Sequence, residues 1–386
     1  MSEGRRGLLA VARVSATLGV IGFGGPAAHV AMLRVEVVER RRWLTDAEFL
    51  ELFAATGALP GPGSTQMVIA VGRRRAGWAG LAVAGTCFIA PSTATVLVLA
   101  WLYVRYGHLP AVGGLLYGVK PVVVAVIVVS LWGLGRGVVA TGALPAAVSV
   151  AAAAGFLAGV DPLVVLGAGA AVVTVWRNRG SVRARGAAVV APALALAAAG
   201  RGGRARPGAT ATVHVGLWPV AREFAKLGVI VFGSGYVLLA FLQRDLVHQL
   251  HWLGARQLLD AVAAGQVTPG PVFATATFVG YLVSGVPGAL VATIAIFLPS
   301  FVMVAALIPL LSKVRRSSWA SGALDGAGAV AVGLMAGVAV TLARSGLVGP
   351  LAVAVGVVAL VVLARFRVNT AWMVLAGGVV GVLHSL

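Results

Sequence analysis

Acidic residues are scarce in this sequence: 11 Asp and Glu stand against 30 Lys and Arg, for a formal charge of +19. Charge of either sign is thin, at 11% of 386 residues, whereas 60% are hydrophobic. A soluble chain of this length needs far more charge to cover its surface. Apolar runs of about 20 residues recur instead, the signature of an all-α polytopic membrane protein. Cysteine is nearly absent, and Cys87 alone permits neither an internal disulfide nor a redox thiol pair. There is no HExxH zinc helix, no GxxxxGK[ST] phosphate loop and no paired acidic motif of a prenyl transferase. An enzyme or an ATP-driven pump is therefore unsupported, and no metal or cofactor is expected. The basic residues lack interleaved stacking aromatics, which argues against nucleic acid as a partner. They fit the positive-inside rule: seven arginines (177, 179, 183, 185, 201, 204 and 206) share one connecting segment, expected on the cytoplasmic side of a multi-pass, bacterial-type cytoplasmic membrane protein. The N-terminus has no separate signal peptide with a small-residue cleavage site, so insertion is expected to use the first apolar segments.

Proline and glycine, by contrast, are plentiful and oddly placed. "ALPGPGSTQ" (58–66) and "TPGPV" (268–272) interrupt long apolar stretches, although proline lacks an amide proton and glycine has the largest backbone entropy cost in a helix. The two interruptions are equivalent. "VARVSATLGVIGFGGP" from Val11 overlays "VAREFAKLGVIVFGSG" from Val220, and the register runs unbroken to the PGP triplets. Beyond them one residue slips, so that "PS" at 91 meets "PS" at 299. The chain is an internal duplication, read as a first repeat (1–177), an Arg-rich linker (178–215) and a second repeat (216–386). Arg73, Arg74 and Arg75 follow the first PGP segment, whereas "YLVSGVPG" follows the second without charge; one hairpin later "YVRYGHLP" meets the more basic "LLSKVRRSS". Reversed loop charge predicts inverted repeats. About ten crossings are expected, near 47–72, 78–104, 112–134, 140–159 and 162–177, then 257–281, 288–311, 322–343, 346–364 and 369–386. The segments 9–33 and 216–243 become re-entrant. The alternative lets 9–33 span and makes 186–200 an odd crossing.

A helix broken at mid-membrane exposes amides at one end, and with the helix dipole behind them these attract anions. After Pro60, Gly61 and Pro62 the restarting helix offers backbone N–H groups, the hydroxyls of Ser64 and Thr65 and the amide of Gln66. Gly24, Gly25, Pro26 and His29 form a similar restart, with glycines permitting close backbone approach. Pro269, Gly270, Pro271 and Gly233 are the second-repeat counterparts. A pair of equivalent broken segments is the best sequence pointer to a transporter's binding site. Charges inside apolar segments are further candidates. Arg13 and Arg222, equivalent in the two repeats, could face a dianion or merely snorkel to the interface. Glu51 and Asp260, likewise equivalent, are candidates to carry a coupling proton. Lys120 and Asp325 lack a charged counterpart.

The ordered series "FGGPAAHVAML", "RRRWL", "LPGPGSTQ", "RRAGWAG", "FGSGYVLLAFLQRDLV" and "VTPGPV" resembles the chromate ion transporter family in its long, two-domain form. The likeness covers both halves. It implies secondary transport of chromate, commonly outward to give resistance, with sulfate as the isosteric competitor; the residues themselves reach only a tetrahedral oxyanion. Partners implied are that oxyanion and membrane lipid, with a homodimer left open. The rival from another class is a membrane-embedded enzyme acting on an anionic substrate, which would need a nucleophile and base beside the PGP site. Ser234 and Gly235 replace Gly25 and Pro26 in the second half, so the halves are not expected to contribute equally.

Overall fold

The computed structural model describes residues 3–23, 25–57, 59–107, 109–179, 215–231, 237–314, 317–366 and 368–385. These form fourteen α-helices and no strand. In the first repeat they are α1 (Glu3–Ile21), α2 (Gly25–Arg34), α3 (Asp46–Thr56), α4 (Gly63–Tyr106), α5 (Pro110–Ala140), α6 (Ala143–Leu157) and α7 (Pro162–Arg177). In the second they are α8 (Leu217–Ile230), α9 (Val237–Leu242), α10 (Ala255–Val267), α11 (Thr275–Val314), α12 (Ser318–Gly346), α13 (Pro350–Arg365) and α14 (Thr370–Ser385). The repeats match down to their irregularities. Each second helix continues as a π-helix, Val35–Arg40 and Gln243–Gln249. Each then places a non-glycine residue at positive φ, Arg42 at 52° and His251 at 53°. Four helices, α4, α5, α11 (with the 3-10 turn before it) and α12, are long and apolar enough to cross a membrane. The protein is an all-α polytopic membrane protein.

The longest helices are hairpins. α4 reverses at Ala76–Gly77 and α11 at Ser284–Gly285, where each glycine has φ +61°. The arms close tightly because they face one another with glycine: a Cβ on Gly72 would lie 2.5 Å from the Gly80 carbonyl, and Gly280 meets Gly288 in the same way. Thr277 and Thr293 hydroxyls bond at 2.7 Å across the second hairpin. The two hairpins point in opposite directions. Arg73, at the tip of the first, donates to the carbonyls of Val304 (2.9 Å) and Ala305. Those lie some 20 residues past the tip of the second, which is about 30 Å along a helix. The repeats are therefore inverted, as the loop charges predicted. They also exchange helices: α5 packs chiefly on α14 and α13, while its counterpart α12 packs on α7 and α6.

One expectation is corrected. The stretch 47–72 is not one crossing but two short helices, α3 and the first arm of α4, folded back on each other. Arg74 at the end of the arm bonds Glu48 at the start of α3 at 2.6 Å, and Thr56 Oγ1 lies 3.7 Å from Met67 Sδ near the break. Each piece is roughly 20 Å or less, short of the ~30 Å hydrocarbon core. The second repeat does the same at 257–281, where Gly265 of α10 abuts Thr275 of α11. The folded-back pieces 47–72 and 257–281 thus add one re-entrant segment to each repeat. In 9–33, Val11 and Leu33 belong to one apolar cluster with Val37, Leu44 and Val71. Most of the Arg-rich linker, and the alternative crossing 186–200, fall outside the described residues.

Candidate functional site

The broken segments interlock across the repeats. Gly61 N–H donates to the carbonyl of Val231 at 2.6 Å, and its counterpart Gly270 N–H donates to the carbonyl of Gly22, the counterpart of Val231, at 2.8 Å. Each PGP turn is thus anchored on the frayed helix end of the other repeat. The Gly22 carbonyl accepts a second bond, from His29 Nε2 at 2.7 Å. A carbonyl can only accept, so the Nε2 proton is on the ring and Nδ1 is the acceptor, 3.4 Å from Ser64 Oγ. His29 is buried and meets Phe88 edge-on, with ring centroids 5.4 Å apart. Gly22, His29, Ser64 and Gly270 therefore form one connected group of atoms.

At that group α4 begins. Its N-cap is Pro62, and no side chain caps it. The first intrahelical bond runs from Gln66 N to Pro62 O (3.0 Å), so the amides of Gly63, Ser64 and Thr65 have no helical acceptor. The side chains that follow are deeply buried: Ser64 is 4% exposed, Thr65 and Gln66 0%. Gln66 Nε2 donates to Pro60 O at 2.5 Å and reaches Ser300 Oγ at 3.5 Å. Thr65 Oγ1, Gln66 Oε1 and the fully buried Ser92 Oγ have no protein partner. Ser92 abuts the other break, since a Cβ on Gly270 would lie 2.7 Å from Ser92 Cβ. An unsatisfied buried hydroxyl costs about 1–3 kcal/mol, and a helix amide end without a cap favours negative charge. Together they suit an anion that takes several hydrogen bonds from different directions.

Several sequence candidates occupy this place. Pro60, Pro62, Pro269 and Pro271 frame the two turns, and Gly25 (φ +78°) with Pro26 opens α2 one turn before His29. Gly24 and Gly233 lie outside the described residues. Gly61 and Gly270 are in place, but their role is corrected. Their amides are engaged by carbonyls rather than turned to a ligand, and at φ +114° and +100° only glycine fits without strain. Arg13 and Arg222 are exposed on α1 and α8 and form no ion pair among the described residues. Glu51 is exposed. Asp260 is buried and bonded to Lys120 Nζ (2.8 Å) and Tyr103 Oη (2.9 Å). Lys120 and Asp325 do have partners here, the latter in Arg177. Sequence reasoning missed Ser92 and Ser300. Their signal was the duplicated "PS", which served only to find the register slip.

A family model described as "Chromate transporter" matches the chain in two stretches, residues 9–175 and 218–382. A chromate transport protein of Cupriavidus metallidurans is 33% identical over 365 residues, covering 93% of this chain and 88% of the relative. A probable chromate transport protein of Synechococcus elongatus is 34% identical over 352 residues, covering 89% and 86%. One from Pseudomonas aeruginosa is 32% identical over 334 residues, covering 84% and 79%. No solved structure matches the chain.

Proposed function

Since the chain belongs to the chromate transporter family, we propose that it is a secondary transporter that binds chromate at the start of α4 and releases it outward across the cytoplasmic membrane. The observation that carries the reading is the uncapped α4 terminus, where amides without a helical acceptor adjoin the buried, unpartnered hydroxyl of Thr65, with the unpartnered Ser92 hydroxyl on the second arm of the same hairpin. Chromate is a tetrahedral dianion. Its oxygens accept from several donors at once, and a charge-assisted hydrogen bond is about twice as strong as a neutral one. Sulfate has the same shape and charge and competes. A planar monoanion such as nitrate matches neither and competes poorly. Arg13 and Arg222, exposed away from the donors, raise the local concentration of dianions rather than contact them. The Arg-rich linker faces the cytoplasm.

Inverted repeats give the site a route to both sides. The donors belong to re-entrant pieces that reach only part way through the hydrocarbon, and each PGP turn is tied to the opposite repeat by one backbone bond. Rocking one repeat against the other would open the same donors first to one face, then to the other. The experiment is chromate counterflow in proteoliposomes of the purified chain, with sulfate and nitrate as competitors. Uptake blocked by sulfate and spared by nitrate is expected. Equal competition by both anions, or no counterflow, overturns the reading.

A further inference from the structure

Among the described residues, the second repeat contributes two buried carboxylates to an ionic cluster that has no equivalent in the first. Asp245, on the π-helical segment after α9, is 1% exposed, and Glu223 on α8 is 6% exposed. Both carboxylates touch Lys226 Nζ, Asp245 at 2.7 Å. Asp245 also pairs with Arg244 at 3.1 Å, and Arg244 in turn holds Asp161 at the start of α7. Three carboxylates thus share two cations. Two residues before Asp245, Gln243 is buried as well, and its Oε1 has no partner. Among the described residues, α11 and α12, which pack on α8 and α9, bring no charged side chain to this pair.

A buried negative charge in excess of its cations is neutralised most simply by a proton. The equivalent positions of the first repeat are Val14, Thr17, Val35 and Glu36. Only Glu36 is acidic there, and it is partly exposed with two arginines of its own, Arg40 and Arg41. Asp260, the candidate from sequence, differs as well: one carboxylate faces one lysine, with a tyrosine hydroxyl besides, and no charge is left over.

We infer that Glu223 and Asp245 hold one proton between them over Lys226, and that this proton crosses the membrane with the anion. The inference rests on the transport reading above and adds its coupling ion. The step is a simple transfer: a carboxylate takes a proton from water when the cluster opens to one face and returns it to water at the other. No other bond changes.

The test uses the full chain in proteoliposomes loaded with the pH dye pyranine. A chromate gradient should drive proton movement in the wild type, and an imposed pH gradient should drive chromate uptake. In Glu223→Gln, which preserves shape and fixes the neutral state, both effects should fall at least tenfold while chromate counterflow, which needs no net proton movement, continues. Asp245→Asn is the second variant and should behave alike. Thermal unfolding identifies a variant that fails to fold, in which case the other decides. A wild-type chromate gradient that moves no protons although counterflow is intact, uptake driven by a sodium gradient instead, or unchanged proton coupling in both variants would overturn the inference alone. Loss of counterflow in the wild type would overturn the transport reading as well.

Discussion

After Pro62 the chain reads GSTQ; after Pro271, at the same point of the other repeat, it reads VFAT. The backbones before that point agree closely, down to the reciprocal bonds of Gly61 and Gly270. Beyond it they part. In the first repeat α4 starts at once, with uncapped amides and buried hydroxyls. In the second a 3-10 turn, Val272–Ala274, intervenes. There Ala274 N is bonded to Pro271 O at 2.9 Å, and Thr275 Oγ1 to Val272 O at 2.8 Å. Phe273 fills the place of Ser64 and packs on Phe297. Leu238 likewise replaces His29, fully buried. The second break is closed upon itself and apolar. Duplication kept the scaffold twice and left the donor chemistry in one copy, while the pair of buried carboxylates, Glu223 and Asp245, sits in the other.

The comparison can be broken at several points. The largest effect is expected where equivalent carboxylates differ most. Asp260→Asn leaves Lys120 buried and unpaired, so it should destabilise the protein by about 3 kcal/mol. Glu51→Gln, at an exposed position, should cost under about 0.5 kcal/mol. Thermal unfolding in detergent separates them; equal shifts would show that burial does not distinguish the two sites.

Next comes the donor set. Thr65→Val with Ser92→Ala removes the two unpartnered hydroxyls at nearly constant volume. If each is worth roughly 1.5–3 kcal/mol to a charged guest, chromate counterflow at low substrate should fall about a hundredfold or more. Ala274→Thr, which adds a hydroxyl to the second break, should not raise it. Gain of transport there would mean that the second repeat also binds.

The glycines sharpen the contrast. Alanine at Gly61 meets Gln66 Nε2 at 2.7 Å and Ser300 Oγ at 2.8 Å, and at Gly270 it meets Ser92 Cβ at 2.7 Å, both at positive φ. Either should cost about 1–3 kcal/mol of stability. Both should also weaken chromate binding, Gly61→Ala by displacing Gln66 and Gly270→Ala by displacing Ser92; unchanged affinity in either variant would remove that side chain from the site. The smallest effect is expected from Arg13→Gln and Arg222→Gln. Uptake should slow by about threefold or less and the difference should vanish at high salt, as for charges that attract without contact. A loss that persists at high salt would put the arginines on the anion.

Much of this was legible in the primary structure. The duplication, the inverted orientation and the break sites follow from local signals: proline and glycine act on their own backbone, and loop charge records which side of the membrane a loop faces. Gly61 and Gly270 stood out for their unusual backbone, but the carbonyl each amide binds lies in the other repeat, where no local pattern points to it. Length misled at 47–72, because a run of apolar residues reads alike whether it crosses or turns back. Asp260 and Lys120 looked unrelated at a separation of 140 positions, as did Arg244 and Asp161.

What the sequence by itself determined is the class of protein, the twofold repetition and the chemical kind of its site, for these depend on composition and on residues close together in the chain. Only the tertiary structure decided which polar groups are used up and which are left over. The Thr65 and Ser92 hydroxyls and Gln66 Oε1 stand out because the packing of α4 against α1 and α11 buries them with no partner, and Glu223 with Asp245 because folding brings three carboxylates to two cations. Hydrogen bonds and charge balance in a medium without water are settled by distance in space, which no local pattern along the chain encodes.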